Sequence, residues 1–336
     1  MANDGENEQQ IFFSVILISY KHDDFVLDAL KSIKYQDFDP TGYELIIICK
    51  ANSGVKMIVK DLNLECNVKF VINDDYKIGP KFLEALKLAQ SEWIVVIDDD
   101  DMWMPKKLEV LYELISKHPK AVYLHNDKYT VDEHFHYDDI YSLKINKSVS
   151  SFLTSEDLII RSFRNNCEHN GSSIAFYDTI LNEKLDSLKL LEGGLDIFLY
   201  ISAIESAGEL ICTKERLTLF RVTSKNNQND YSKSLLNNLK RQLQSYEVIR
   251  NMKLTNHFTQ WLIDWRIMYN RLKINLIEAP VISKRDRFEF LLDSIRNKFF
   301  RSKEGFYFEF FFILQFINSS VAKRTYMLAT TILSKR

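Results

Sequence analysis

The sequence predicts an α/β fold in which a mostly parallel, mixed sheet is flanked by helices and followed by a helical C-terminal extension. Apolar runs of strand length alternate with segments whose apolar residues recur at helical spacing, which is typical of parallel sheets covered on both faces. The chain has 336 residues, enough for one large domain or two smaller ones. The apolar runs lie at residues 12–19, 44–49, 68–72, 93–97 and 121–124.

The helices between these strands are predicted from their apolar spacing and their first residues. Asp23 or Asp24 is a candidate N-cap of the first helix, because an aspartate side chain accepts hydrogen bonds from N–H groups at a helix start. Pro80 and Pro105 suit the beginning of later helices, since proline has no N–H and a fixed φ. The predicted helices span residues 23–35, 55–62, 79–89 and 105–117.

Residues 126–195 are less regular than the first part of the chain. A cluster of two histidines and two aspartates there either binds a metal ion or belongs to a polar hairpin; its members are His134, His136, Asp138 and Asp139. Polar residues 225–232 indicate a boundary or a loop. Strands are expected at residues 172–177, 209–212 and 217–221, and a helix at 197–204.

The C-terminal region, residues 231–336, is predicted to be helical and is strongly basic. Residues 1–230 carry 25 Lys or Arg and 38 Asp or Glu, whereas residues 231–336 carry 19 and 8. Such opposed charges indicate regions with different partners. An aromatic segment edged by basic residues, within 298–336, favours peripheral contact with an anionic membrane, and packing in a homo-oligomer through the C-terminal helices is the alternative.

Composition and motifs exclude several classes of protein. No glycine-rich phosphate loop is present, which argues against a classical dinucleotide enzyme and a P-loop NTPase. The cysteines, Cys49, Cys66, Cys167 and Cys212, show no metal-binding or disulfide spacing, so we expect reduced thiols in the cytoplasm. Residues 1–11 are polar and expected to be disordered, and we expect no secretory signal, no transmembrane helix and no nucleic-acid partner.

An acidic run, Asp98, Asp99, Asp100 and Asp101, directly follows the predicted strand 93–97. Four adjacent carboxylates repel one another, and at the end of a buried strand they are costly unless a cation is bound. Mg²⁺ and Mn²⁺ prefer oxygen ligands and commonly bind one or two carboxylates together with substrate phosphates. We therefore predict a metal–diphosphate site here; a solvated acidic turn capping the next helix is the alternative.

Other polar residues follow neighbouring predicted strands in the same way. Ligands of parallel α/β sheets bind outside the carboxyl ends of the strands, where these residues should meet. The expected site is therefore formed by residues 19–21, 50–52, 73–75 and 98–101.

Residues 12–224 resemble the family 2 glycosyltransferases of GT-A fold, of the kind that build bacterial surface polysaccharides. The opening segment SVILISYKHDDFVLDALKSIKYQDF is similar to the start of that family, and AQSEWI at residues 89–94 resembles its "A.GEYI" motif. Residues 98–105 match its "DxDDxxxP" motif, and Leu219-Phe220-Arg221 resembles its later "L.YR" motif.

The resemblance implies roles for individual residues. Asp98 would contact the ribose, Asp99 would support it, and Asp100 would bind Mn²⁺ or Mg²⁺. Ser19 and Tyr20 fall where the family contacts the base. Asp196 falls where the family has its catalytic base, with Glu192 as the alternate, and His169 would line the acceptor pocket. An aspartate before a helix can also be a simple N-cap.

The chain departs from the family at positions that contact the nucleotide. The acidic residue that commonly follows the second strand is absent, and Lys50-Ala51-Asn52 stands there. The common Arg-Asn pair of the third helix is replaced by Phe82-Leu83, so Lys77 or Lys81 is the candidate to approach the nucleotide. These changes leave the base and the sugar of the donor open.

We therefore expect a metal-dependent enzyme that transfers a sugar from a nucleotide-sugar donor, with inversion, to a hydroxyl of a glycan or lipid-linked glycan. Residues 12–230 would be the GT-A domain, with a nucleotide-binding half at 12–125 and an acceptor half at 126–230. A cytoplasmic location, peripheral on the inner membrane face, follows from the basic region. The rival interpretations are a nucleotidyltransferase and a catalytically degenerate assembly protein.

Overall fold

The computed structural model describes residues 11–20, 24–143, 151–154, 162, 166–206, 208–222 and 228–278. The chain divides into two compact units, residues 1–223 and 224–336. The predicted tail up to residue 10 and the segment 298–336, for which membrane contact is expected, lie outside the described residues.

The first unit is a mixed α/β structure. Its strands are β1 (Phe13–Ser19), β2 (Tyr43–Cys49), β3 (Asn67–Ile72), β4 (Trp93–Asp98), β5 (Met102–Trp103), β6 (Ala121–Asp132), β7 (Ser151–Thr154), β8 (Ile174–Tyr177) and β9 (Glu209–Val222). Its α-helices are α1 (Val26–Lys34), α2 (Val55–Leu62), α3 (Ile78–Leu88), α4 (Lys107–Lys117), α5 (Leu185–Leu188) and α6 (Leu195–Ile204). Short 3₁₀ helices include Tyr137–Ser142 and Gly171–Ser173.

The strands form one sheet in the order β3-β2-β1-β4-β8-β6-β9-β5, with β7 also paired to β9. Strands β3, β2, β1 and β4 are parallel, and β8 runs antiparallel to both β4 and β6. The carboxyl ends of β1, β2, β3 and β4 therefore lie at one edge of the sheet. The predicted mostly parallel, mixed sheet is confirmed.

The parallel part of the sheet is buried because its strands are apolar on both faces. Every residue of β2 is buried, as are most residues of β1 and β4. Helices α1 and α4 add their apolar faces to the same core through residues such as Leu30, Ile33, Leu108 and Leu111. This rigid core fixes the positions of the strand ends, where loops are free to carry polar residues.

Several predicted boundaries were wrong in an informative way. The predicted strand 121–124 continues as β6 to Asp132, and the predicted strands 209–212 and 217–221 are one strand, β9. The two strands pair in parallel along most of their length, and their register shifts near Asn126 and Asp127. The polar residues in this part of β6 and β9 had suggested that each strand ended earlier. Phe25, not an aspartate, occupies the N-cap position of α1, and α4 begins at Lys107 rather than Pro105.

The second unit contains two described helices, α7 (Gln228–Arg250) and α8 (His257–Glu278). Ion pairs join Lys240 to Glu278 at 2.7 Å and Arg250 to Asp264 at 2.9 Å, so the helices run antiparallel. Apolar side chains of both helices, among them Leu239, Ile249, Leu262 and Trp265, are buried, as core packing requires. Helix α7 begins within the polar stretch 225–232, where a boundary or loop was predicted. No helix among the described residues is long and apolar enough to cross a membrane.

Candidate active site

The acidic run lies between the end of β4 and the short strand β5. Asp98 ends β4, and the N–H of Asp101 returns to the carbonyl of Asp98 at 3.3 Å, which closes a tight turn. Asp99 and Asp101 are buried, whereas Asp98 and Asp100 are partly exposed. Partly exposed and buried aspartates therefore alternate along the turn.

The two buried aspartates are held by neighbouring strands. The carboxylate of Asp99 accepts the N–H of Tyr20 at 2.7 Å, just beyond the end of β1. The carboxylate of Asp101 accepts the N–H of Arg221 on β9 at 3.0 Å and a hydrogen bond from the Ser172 hydroxyl. These contacts fix the turn to both sides of the sheet.

Negative charge is concentrated at this turn. Although Asp98 as a whole residue is partly exposed, surrounding protein atoms desolvate its carboxyl group, which raises its pKa well above the ordinary value. The charges of Asp100, Asp101, Asp99 and Asp196 raise it further. Burial and the neighbouring Asp100 raise the pKa of Asp101 to about 7. A divalent cation at the turn would relieve this repulsion.

The donor atoms at the turn suit Mn²⁺ or Mg²⁺, because carboxylate oxygens are the ligands these ions prefer. Asp100, to which the family resemblance assigns the ion, is partly exposed at the turn. Among the described residues, no three His, Cys, Asp or Glu side chains form a metal site on their own. The arrangement fits an ion completed by substrate phosphates.

The residues predicted to bind the nucleotide gather around Tyr20. The Lys81 ammonium lies 3.0 Å from the centroid of the Tyr20 ring, and the Lys50 ammonium lies 5.7 Å from it. Burial, followed by the charge of Asp74, raises the pKa of Tyr20 to about 12. The structure thus brings together three of the side chains that were predicted to bind the nucleotide.

The ends of β2 and β3 complete this part of the site. The carboxylate of Asp74 accepts the N–H of Ala51 at 3.2 Å, so the loops after the two strands are tied together. Ser19 is buried at the end of β1, and within the described part of the chain its hydroxyl has no hydrogen-bond partner. In family 2 glycosyltransferases an acidic residue commonly follows the second strand, and here the carboxylate of Asp74, from the loop after β3, lies next to that position.

Asp196 lies in the first turn of α6. The N-cap of that helix is Gly194, whose φ of 63° is left-handed, so Asp196 is not the cap. Its carboxylate accepts the N–H of Asn170 at 3.3 Å and interacts electrostatically with Asp98. The predicted base and the predicted metal-binding run therefore belong to one site.

The two weaker acceptor-side predictions lie on nearby loops. His169 precedes Asn170, and its Nε2 lies 3.5 Å from a carboxylate oxygen of Glu168. Glu192 precedes Gly193-Gly194 and accepts a hydrogen bond from the hydroxyl of Tyr76 at 3.3 Å. Glu192 thus joins the acceptor side to the loop that follows β3.

The predicted His/Asp cluster does not form a metal site. The Nδ1 of His136 lies 3.1 Å from Asp28 of α1, and the Asp139 carboxylate accepts the His136 N–H at 2.9 Å. Asp28 also forms a buried ion pair with Arg221 at 2.9 Å. These groups attach the loop after β6 to α1.

Three residues at the site were not predicted. The carbonyl of Ser172 accepts a hydrogen bond from the buried ammonium of Lys107 at 2.5 Å. The Lys128 ammonium lies 4.3 Å from the Phe220 ring, and the charges of Asp101 and Asp196 both act on it, although burial lowers its pKa. A lysine at helical spacing with Leu111 and Ile115 could have identified Lys107, whereas no sequence signal identifies Ser172.

A mixed sheet whose edge holds an aspartate turn beside cationic side chains, with a further carboxylate opposite, is the arrangement expected of a glycosyltransferase of GT-A fold. Residues 14–178 match the family model described as glycosyl transferase family 2. The predicted resemblance to family 2 glycosyltransferases is therefore confirmed over this segment, which is just under half of the chain.

The chain is similar to glycosyltransferases from bacteria and archaea. It is 27% identical over 115 residues to the poly(ribitol-phosphate) β-N-acetylglucosaminyltransferase TarS of Staphylococcus aureus, a match covering 33% of this chain and 20% of TarS. The match thus spans about a fifth of the length of that relative.

Two solved structures share the fold. Residues 1–349 of TarS in complex with UDP-GlcNAc superpose with a TM-score of 0.55 at 15% identity, covering 78% of this chain and 73% of that one. The mannosyltransferase PcManGT of Pyrobaculum calidifontis, in complex with GDP-Man and Mn²⁺, superposes with a TM-score of 0.54 at 14% identity, covering 95% and 87%.

Proposed function

We propose that this chain transfers a sugar from a nucleoside-diphosphate sugar to a hydroxyl of a glycan or lipid-linked glycan. The observation that carries this proposal is the approach of Asp196 to the aspartate turn, since donor activation and acceptor deprotonation need carboxylates at one site. The family 2 match favours sugar transfer over nucleotidyl transfer. The Mn²⁺-bound fold relative supports a divalent cation here.

The proposed donor site extends from Tyr20 to the aspartate turn. Lys50 and Lys81 would attract the negatively charged nucleotide, while Asp98 and Asp99 would contact it from β4. Asp100 would hold Mn²⁺ or Mg²⁺, and the bound ion would offset charge that develops on the departing diphosphate. Ser19, at the end of β1, is the remaining candidate for contact with the base.

The proposed reaction is a single displacement with inversion. The acceptor hydroxyl attacks the anomeric carbon as the bond from that carbon to the diphosphate breaks. The hydroxyl proton passes to the carboxylate of Asp196, and the nucleoside diphosphate leaves with the bonding electrons. General-base assistance of this kind contributes about 10²–10⁴-fold to a rate. His169 and Glu192 would contact the acceptor.

A thermal-shift screen of UDP, GDP and CDP, each with and without Mn²⁺, tests the donor site. A nucleotide that binds only the folded state stabilises it by about 2.7 kcal/mol at a hundredfold excess over Kd. Mn²⁺ should be required for the full shift, and Asp100→Asn should abolish the Mn²⁺-dependent part of the shift together with donor turnover. The proposal fails if no nucleotide stabilises the wild type, or if Asp100→Asn behaves like the wild type.

A second comparison tests the base. Asp196→Asn should leave nucleotide binding unchanged and lower release of the diphosphate from the donor by about 10²–10⁴-fold. Equal turnover by Asp196→Asn and the wild type would exclude Asp196 as the base and make Glu192→Gln the next variant to measure.

The charge of residues 231–336 supports a lipid-linked acceptor at the inner membrane face. An excess of Lys and Arg is attracted to anionic lipid by about 1 kcal/mol for each residue near the surface. The full chain should therefore sediment with phosphatidylglycerol vesicles at low salt and not with phosphatidylcholine vesicles. Equal behaviour with both kinds of vesicle would contradict membrane contact.

A further inference from the structure

The segment 170–172 lies between the aspartate turn and Asp196, and it contacts both. On one side, the hydroxyl of Ser172 accepts the N–H of Asp98 at 3.0 Å and hydrogen-bonds the carboxylate of Asp101. On the other side, the N–H of Asn170 donates to the carboxylate of Asp196 at 3.3 Å. Three consecutive residues thus connect the proposed metal side to the proposed base.

The backbone of this segment is held in an unusual conformation. Asn170 has a φ of 74°, in the left-handed region that residues with a side chain rarely adopt. Such a conformation costs about 1–3 kcal/mol and persists where its surroundings impose it, often at functional sites. Here the Asn170 side chain donates to the hydroxyl of Ser173 at 3.1 Å, in addition to the backbone contact with Asp196.

The segment is fixed from behind by three donors that converge on the carbonyl of Ser172. They are Trp103 Nε1 at 3.0 Å, Lys107 Nζ at 2.5 Å and Thr218 Oγ1 at 3.0 Å. These donors come from β5, α4 and β9, so the one carbonyl joins three elements around the site. Ser172 is fully buried, which excludes water as a substitute partner.

Lys107 is the most costly member of this arrangement. Its side chain is fully buried, and within the described residues its ammonium donates to the Ser172 carbonyl and to Thr218 Oγ1, at 3.1 Å, and lies 4.6 Å from the Trp103 ring. Both hydrogen-bond acceptors are neutral, and burial lowers the pKa of Lys107 well below its ordinary value, although the charge of Asp101 acts in the opposite direction. Burying a cationic group in this way is unfavourable. An apolar residue would pack there at lower cost, so a positional role accounts for its presence.

We propose that Ser172, anchored by Lys107 and Thr218, is a positioning residue that sets the distance between the aspartate turn and Asp196. This inference rests on the proposed function. Lys107 and Thr218 hold the Ser172 carbonyl, and the Ser172 hydroxyl holds the aspartate turn. The nearby N–H of Asn170 holds the carboxylate of Asp196. Loss of either side of Ser172 would let the two carboxylate groups move independently, and a displacement of about 1 Å can cost on the order of 10²-fold in rate.

Hydrogen exchange of the full chain tests the coupling without any substrate. In Ser172→Ala, exchange should become faster at the amide of Asp98, which loses its acceptor, and also at Asn170, whose acceptor Asp196 is unchanged. The matched control is Ser202→Ala on α6, a fully buried serine whose hydroxyl has no partner within the described part of the chain. Unchanged exchange at Asn170 in Ser172→Ala overturns the coupling.

Turnover supplies the second readout, with Mn²⁺ and the nucleotide sugar whose diphosphate best stabilises the wild type. Thr218→Val removes one anchoring hydroxyl at nearly constant shape, and Thr218→Ser retains it. We expect Ser172→Ala to lower kcat by about 10²-fold while the Kd for the nucleoside diphosphate stays close to that of Ser202→Ala. We expect Thr218→Val to lower kcat as well, and Thr218→Ser to preserve it.

The results distinguish failure of the positioning role from failure of the proposed function. A fall in Tm with unchanged kcat in both Ser172→Ala and Thr218→Val would leave only a structural role and overturn the proposal. Lys107→Met removes the anchoring ammonium and should lower kcat as Thr218→Val does. If Lys107→Met does not fold, Thr218→Val still reports on the anchor. If the wild type turns over no donor, the proposed function fails, whereas the exchange experiment still decides whether residue 172 couples the two carboxylate groups.

Discussion

The carboxylate of Asp99 accepts the backbone N–H of Tyr20 at 2.7 Å, so the acidic run is fastened to the end of the neighbouring strand. A hydrogen bond to a charged group contributes about 1.5–3 kcal/mol. Asp99→Ala should therefore weaken nucleoside diphosphate binding by about 10–100-fold, and Asp99→Asn, which retains an acceptor, by less. Titration calorimetry with Mn²⁺ measures both, and equal Kd values for Asp99→Ala and the wild type would contradict the prediction.

The ammonium of Lys81 lies 3.0 Å from the centroid of the Tyr20 ring. A cation–π contact at a partly buried site contributes about 1–2 kcal/mol, and the ammonium also faces the proposed diphosphate. Lys81→Met should therefore weaken nucleotide binding by about tenfold. Lys56→Met is the control, because Lys56 is exposed on α2 and lies 5.4 Å from the Phe70 ring, away from the site. Equal losses in the two variants would contradict the prediction.

Arg221 and Asp28 form a buried ion pair at 2.9 Å, with side chains 0% and 8% exposed. Arg221→Met would leave the buried Asp28 carboxylate without its guanidinium, with the His136 ring and the Tyr137 N–H as its remaining partners. The free energy of unfolding should therefore fall by about 3–5 kcal/mol. Lys31→Met breaks the exposed pair with Asp138 and should cost at most about 1 kcal/mol. Urea denaturation of both variants checks the contrast, and similar losses would contradict it.

Gly79 packs closely against the backbone before Glu192. A Cβ at Gly79 would lie 1.8 Å from the carbonyl oxygen of Leu188, and the Gly79 N–H donates to Leu191 at 3.0 Å. Gly79→Ala must displace that segment and should cost about 1–3 kcal/mol. Gly54→Ala meets no atom within 4 Å and should cost less than about 1 kcal/mol. Thermal unfolding of both variants measures the difference, and equal Tm values would refute the close approach.

The raised pKa of Asp101, about 7 in the folded protein, implies a dependence of stability on pH. Between the ordinary carboxyl pKa and about 7, the folded state binds more protons than the unfolded state, so the free energy of unfolding falls as pH rises from about 4 to 7. Asp101→Asn removes this contribution and should flatten the fall. Urea unfolding in EDTA at several pH values measures it, and an identical slope in the variant would contradict the assignment.

The alternation of apolar runs and helical segments was enough to predict the sheet, because a buried parallel strand must be apolar on both faces. The aspartate run and Asp196 could be predicted as candidates from their motifs. The lengths of the strands could not be predicted. Strands β6 and β9 contain polar residues, and these remain in strands because the two backbones hydrogen-bond to each other along most of their length.

The sequence by itself determined the fold class and which carboxylates carry the proposed chemistry, since these depend on local patterns of residues. Only the tertiary structure decided how those carboxylates are held. Ser172 and Lys107 lie 65 residues apart, and Ser172 follows Asp98 by 74 residues. No local sequence pattern can signal such contacts, because Lys107 becomes buried and the Ser172 hydroxyl meets its partners only once the strands have assembled.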